Sequence, residues 1–261
     1  ISASVLADAT ASDPTCFALF LGIEDLLPYV QSGAKNGSMT NTANFSMAYE
    51  QIVQSLTVNG AKGVVSLIPD ITEMPYFTTI PYNGLNLTPD KAASLNAIYN
   101  PIGISFQEGP NGFMIQDPLA GSFGVRHMVA GELLLLSTPL DSVKCNSMGS
   151  VFPFRNEFVL TLDELIVIRA QIAEYNAAIT AIAATYNLAL AKPNELVNKL
   201  QTGMAYNGIT LSAKFVSGGA YSLDGIHFNP RGNAIISNEF IRALNSKYGA
   251  QIPAINAVNY P

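Results

Sequence analysis

The chain has 261 residues, long enough to bury a large core, and by length one elaborated domain is as plausible as two. Only 12% of residues are charged, against an average near ~25%. The net charge of -6, with no run of Lys or Arg, argues against nucleic acid as a ligand, and a surface rich in Asn, Ser and Thr suits a secreted, periplasmic or cell-surface protein.

Residues 15–21 form an apolar run that reads as a buried strand, and a helix is expected from about Ile23. Glu24 and Asp25 then fall in its first turn, where acidic side chains favour the positive helix end, and Pro28 is tolerable early in such a helix. Phe45, Tyr49, Ile52, Val53 and Leu56 recur at helical spacing, and residues 62–68 supply the next strand, ending at Pro69 and Asp70. Strand, helix, helix, strand is the signature of a parallel sheet. Asp70 stands at a strand's carboxyl end, where open α/β sheets place ligands, but capping the following turn is the preferred role.

Residues 71–153 break this rhythm. They hold turns between Pro75 and Tyr82, a helix expected over 89–99, extended pieces around Ile104 and Phe113, and the core-forming run Leu133 to Leu136. So much irregular chain between core elements reads as an inserted subdomain over one end of the sheet, serving as a lid, a substrate wall or packed decoration. The whole of 1–261 is read as one α/β domain carrying that insertion. Thr161 and Glu164 then make a capping box, and Leu165, Ile168, Ile172, Tyr175, Ile179 and Ile182 continue a long helix to about residue 187. A short strand at 188–191 and a hairpin or extended loop over 205–221 follow.

The chemistry concentrates in Asp224-Gly225-Ile226-His227-Phe228-Asn229-Pro230-Arg231-Gly232. Asn229 is a good N-cap and Pro230 suits the first helical position, so a terminal helix is expected over 230–248, with His227 in the loop before it. A carboxylate three residues before an imidazole can hold one ring nitrogen and leave the other free as a general base. The competing structural role is that of ordinary loop polars. His127, the second histidine, has no carboxylate at ligand spacing and reads as structural. With no His-x-x-x-His pair and no Cys cluster, neither a metal nor a cofactor is read from the chain. Cys16 and Cys145 match no redox spacing, and buried free thiols are preferred over a disulfide.

The Asp224 to Gly232 block with its closing helix resembles the C-terminal motif block of the SGNH (GDSL-type) lipase/esterase family. Phe17 to Leu27 resembles that family's Gly-x-Asn-Asp block, and 36–70 and 131–165 are similar to secreted SGNH-type proteins of gut Bacteroidetes. The resemblance implies a three-layer, flavodoxin-like fold around a parallel sheet, His227 and Asp224 as catalytic base and orienter, and the Gly22 amide as an oxyanion donor. Two departures accompany it. No Gly-Asp-Ser or Gly-Asn-Ser nucleophile block precedes Gly22, so the first strand is read as missing. Glu24 stands where the family has an oxyanion-binding Asn, and an ionised carboxylate cannot donate a hydrogen bond.

The expectation is therefore a serine ester hydrolase acting on a small-molecule or glycan ester, its Ser lying upstream. The alternative is a non-catalytic paralogue that binds a glycan or lipid. Because the chain opens on Ile1 and not on Met, removal of a signal peptide, an upstream segment or both is expected. An unpaired sheet edge should then be covered by a cleaved N-terminal piece, a swapped partner or a rearranged strand. No apolar run reaches the roughly 18 residues of a membrane span.

Overall fold

Three short parallel strands make the sheet: β1 (Cys16–Leu19), β2 (Lys62–Ser66) and β3 (Ala189–Ala191), in the order β1-β2-β3. Cys16 lies opposite Lys62 and Val64 opposite Ala189 in this register. The protein is described here by a computed structural model covering residues 4–261. It is a mixed α/β protein with this small parallel sheet packed against helices, plus several small antiparallel strand pairs.

The chain divides into two units. The first runs through Leu27 and resumes over Met39–Pro75 and Ile168–Pro261. At its centre β2 reads Lys-Gly-Val-Val-Ser and is buried from Gly63 onward, as a strand flanked on both sides must be. Helix α1 is Val5–Ala11, α2 is Thr42–Thr57, α3 is Leu162–Thr185, α4 is Asn194–Thr202 and α5 is Pro230–Tyr248. Asn41 caps α2 by accepting from the Asn44 amide, and Phe45, Tyr49, Val53 and Leu56 form its buried stripe. The Phe45 ring stacks on Tyr175 of α3 at 3.9 Å. The next residue, Asn176, clamps the chain beyond β2, accepting from the Ile68 amide at 2.7 Å and donating to its carbonyl at 2.9 Å. Helix α5 packs on β2 and β3, and its Tyr248 hydroxyl donates to the Gly63 carbonyl at 2.9 Å.

The second unit comprises Pro28–Ser38 and Tyr76–Val167. Its antiparallel pairs join Leu85–Leu87 to Gly109–Asn111, Met114–Gln116 to Val125–His127, and Leu133–Leu134 to Val159–Leu160. The helix Pro89–Tyr99 forms as its sequence requires, capped by Thr88. Phe113, Ile115, Met128, Leu134, Phe154 and Val159 make one apolar cluster. Arg126 is ion-paired to Asp117 and to Glu132, both at 2.6 Å.

Several sequence expectations need correction. The run 15–21 is not a buried strand: only Cys16–Leu19 is extended, and its residues are exposed or half-buried because β1 is an edge strand with β2 as its one partner among the described residues. Regular helix does not begin at Ile23. Residues 23–26 form a turn in which the Leu26 and Leu27 amides donate to the Ile23 carbonyl, and the helix is confined to Leu27–Gln31. Pro28 has no N–H to offer the Glu24 carbonyl, so Glu24 and Asp25 precede the helix and do not sit in its first turn. Both cysteines are free and exposed, so the thiol of Cys16 is not buried. Helix α3 is also long and apolar enough, by length and composition alone, to cross a membrane, contrary to the expectation that no such segment exists. Within the first unit it carries the Tyr175 and Asn176 contacts and the bond from Arg169 to Asp70 at 2.8 Å.

Candidate functional site

The loop that carries His227 is closed by its own chain. Tyr221 and Phe228 form an antiparallel bridge, with their rings stacked at 4.7 Å, and the Ser222 amide donates to the His227 carbonyl at 2.8 Å. Inside that clasp the chain must reverse, and Gly225 does so with φ of 73°, a left-handed conformation that favours glycine. Asn229 then caps α5, accepting from the Gly232 amide at 2.8 Å while donating to the Gly219 carbonyl. Gly232 is required by closeness: a Cβ there would lie 2.0 Å from the Ala220 carbonyl oxygen. The helix N-terminus can thus sit directly against the segment that leads into the loop.

Asp224 is the hub of the loop. Its Oδ1 accepts from the Ser222 hydroxyl at 2.6 Å and from the amides of Ile226 and His227 at 2.8 and 2.9 Å. Its Oδ2 lies 2.6 Å from His227 Nδ1. Burial alone would raise the carboxyl's pKa, but these hydrogen bonds to its charged form hold it well below the usual carboxylate range. An ionised carboxylate only accepts, so Nδ1 carries a proton and Nε2 is the ring nitrogen left facing outward. No group among the described residues hydrogen-bonds Nε2, and the His227 side chain is 64% exposed.

His227 lines a cavity of about 440 Å³ that lies within the first unit. Gly22 and Glu24 line the same cavity, at the carboxyl end of β1. Gly22 has φ of 109°, and a Cβ would sit 2.4 Å from Ile68 Cδ1 and 3.0 Å from the Phe45 ring, so glycine is demanded by both conformation and space. Its N–H has no acceptor among the described residues. Glu24 is exposed, and its carboxylate likewise takes no hydrogen bond among them. The structure thus brings His227, Gly22 and Glu24 to one cavity, with Asp224 directly behind His227.

Two lining residues on α2, Asn44 and Ala48, escaped the sequence reading. Asn44, Ala48 and Ile52 form a stripe on α2 beside the buried Phe45 and Tyr49. Their four-residue spacing is visible in the sequence, but Asn44 and Ala48 give no apolar signal to flag it. Among the described residues no Ser or Cys lines the cavity, whose lining includes Thr40 and Tyr49. Elsewhere, Asp70 caps the turn after β2 by accepting from the Thr72 amide at 2.9 Å. His127 has both ring nitrogens against backbone carbonyls, of Gly112 at 2.9 Å and of Ser105 at 3.0 Å, a structural arrangement. Among the described residues no cluster of His, Cys, Asp and Glu could hold a metal. Neither a scan against protein-family models nor a search of curated proteins finds a match to this chain.

Proposed function

We propose that this chain is the base-bearing body of a serine ester hydrolase of the SGNH (GDSL) type, whose nucleophilic Ser is contributed by a segment upstream of it. The observation that carries this reading is the Asp224–His227 pair, held at 2.6 Å with Nε2 open to a cavity that also presents the unengaged Gly22 amide. In the reaction Nε2 takes the proton of the incoming hydroxyl as its oxygen attacks the ester carbonyl, then returns it to the leaving alcohol. Asp224 keeps the ring in the tautomer that can do this. The Gly22 N–H donates to the oxyanion that develops on the carbonyl oxygen. A Ser must come from outside the cavity lining, and the outer edge of β1, unpaired among the described residues, is where an added parallel strand would deliver one beside Gly22.

The second reading, a non-catalytic paralogue that binds a glycan or lipid, is favoured by Glu24. Its negative charge on the cavity wall opposes an oxyanion. Turnover of short p-nitrophenyl esters by the full gene product separates the two. Hydrolysis that vanishes in His227→Ala supports the enzyme, and no hydrolysis by the wild type, with the fold intact, supports the paralogue.

A further inference from the structure

Five Asn-Gly steps occur in the chain, at Asn36, Asn59, Asn83, Asn111 and Asn207. Such a step can attack its own side chain: the glycine nitrogen adds to the asparagine Cγ, and glycine has no Cβ to hinder the approach. The reaction needs a carboxamide that is free to turn and a glycine N–H that is not already donating. Folding withholds one or both at four of the five. Asn111 is buried, its Oδ1 accepting from the Gln107 amide at 3.0 Å and its Nδ2 donating to the Gln107 and Gly109 carbonyls at 2.8 and 2.9 Å. Asn59 donates to Asp13 Oδ1 at 2.7 Å, while the Gly60 amide donates to the Thr57 carbonyl at 2.9 Å. The Gly84 amide, after Asn83, is held by the Pro81 carbonyl at 3.0 Å. Asn207 and Gly208 make the two-residue turn between the paired strands Met204–Tyr206 and Ile209–Leu211, and the Asn207 side chain donates to Asn256 Oδ1 at 2.8 Å.

Asn36 differs in every respect. Asn36, Gly37 and Ser38 are all exposed, and neither the Asn36 carboxamide nor the Gly37 N–H makes a hydrogen bond among the described residues. Gly37 has φ of 77°, and a Cβ there would meet nothing within 4 Å. We propose that Asn36 is the chain's site of spontaneous deamidation. The Gly37 nitrogen gives up its proton and bonds to Asn36 Cγ, the Cγ–Nδ2 bond breaks, and ammonia leaves a succinimide. Water then opens that ring at the Asn36 main-chain carbonyl carbon to give isoaspartate, or at Cγ to give aspartate. The product disturbs the turn that holds it. Ser32 Oγ accepts from the Lys35 and Asn36 amides at 3.2 and 2.9 Å and donates to the Asn36 carbonyl at 3.2 Å. Isoaspartate routes the chain through Cβ and turns that carbonyl into a carboxylate. Either product sets a new negative charge beside Lys35, whose ammonium pairs with Glu164, and so competes with Glu164 for it.

Peptide mapping of the folded chain, aged at mildly alkaline pH and read for isoaspartate with a protein isoaspartyl methyltransferase, tests the assignment. Conversion at position 36 should run roughly tenfold or more ahead of each of the other four, the factor that one hydrogen bond to be broken first imposes on a rate. In concentrated urea the five steps should convert at similar rates, because they share the Asn-Gly pair and lose the fold that distinguishes them. Asn36→Gln should remove the early conversion and bring no other site forward. A different asparagine converting first in the folded chain, no conversion at position 36, or a lead of position 36 that persists in urea overturns the assignment.

Discussion

Asp224 Oδ1 takes the Ser222 hydroxyl and two amides while Oδ2 takes the His227 ring, so one side chain both shapes the loop and orients the imidazole. In the gene product, His227→Ala should abolish ester turnover yet shift stability by less than about 1 kcal/mol, because the ring is largely exposed. Asp224→Asn should lower kcat by roughly 10³–10⁴-fold through the wrong tautomer. Its pH signature is fixed in sign. The folded-state pKa of Asp224 is depressed, so its stabilisation is fully present above the unfolded value of about 3.9 and is lost as pH falls toward the lower folded value. The melting-temperature gap between wild type and Asp224→Asn should therefore be constant near neutrality and close in strong acid; a gap that widens in acid contradicts it. Glu24→Asn supplies a donor where a carboxylate now stands, and steady-state kinetics should show turnover raised about tenfold or more. Gly22→Ala, forced against Ile68 and Phe45, should cost about 1–3 kcal/mol in urea unfolding.

The elements were legible to different degrees, and for physical reasons. Helix α5 is bounded in the sequence by Asn229 and Pro230, and its observed span is Pro230–Tyr248; the helix Pro89–Tyr99, opened by Thr88 and Pro89, was equally plain. These signals are local. Strand β1 misled because an apolar run looks the same whether a strand has one neighbour or two, and burial depends on partners far away in the chain. Helices α1 and α4 were missed; α1 buries no residue and so leaves no stripe to read. Asp224 and His227 were visible through three-residue spacing, whereas Asn44 and Ala48, which give no apolar signal, were not. Asn176 was invisible, since its partner Ile68 is 108 residues away. That clamp carries its own prediction. Asn176→Ala should destabilise by about 1–3 kcal/mol, measured by urea unfolding, because it orphans the Ile68 amide while the carbonyl keeps Asn194 at 3.1 Å.

For the molecule as a whole, the parallel sheet of three strands leaves the outer side of β1 without a neighbour, next to a cavity lined by His227 but by no Ser or Cys, among the described residues. A single missing strand would answer both features. The free, exposed state of Cys16 and Cys145 has a simple check: a thiol reagent should titrate both rapidly without denaturant, and a titre of zero would mean a disulfide. The central claim, that Asp224 and His227 serve a Ser lying outside this chain, is tested most directly by a fluorophosphonate serine probe. Residues 1–261 alone should remain unlabelled, while the full gene product should be labelled at one upstream Ser and lose that label in His227→Ala. Labelling within residues 1–261, or a full gene product that takes no label, would contradict the account.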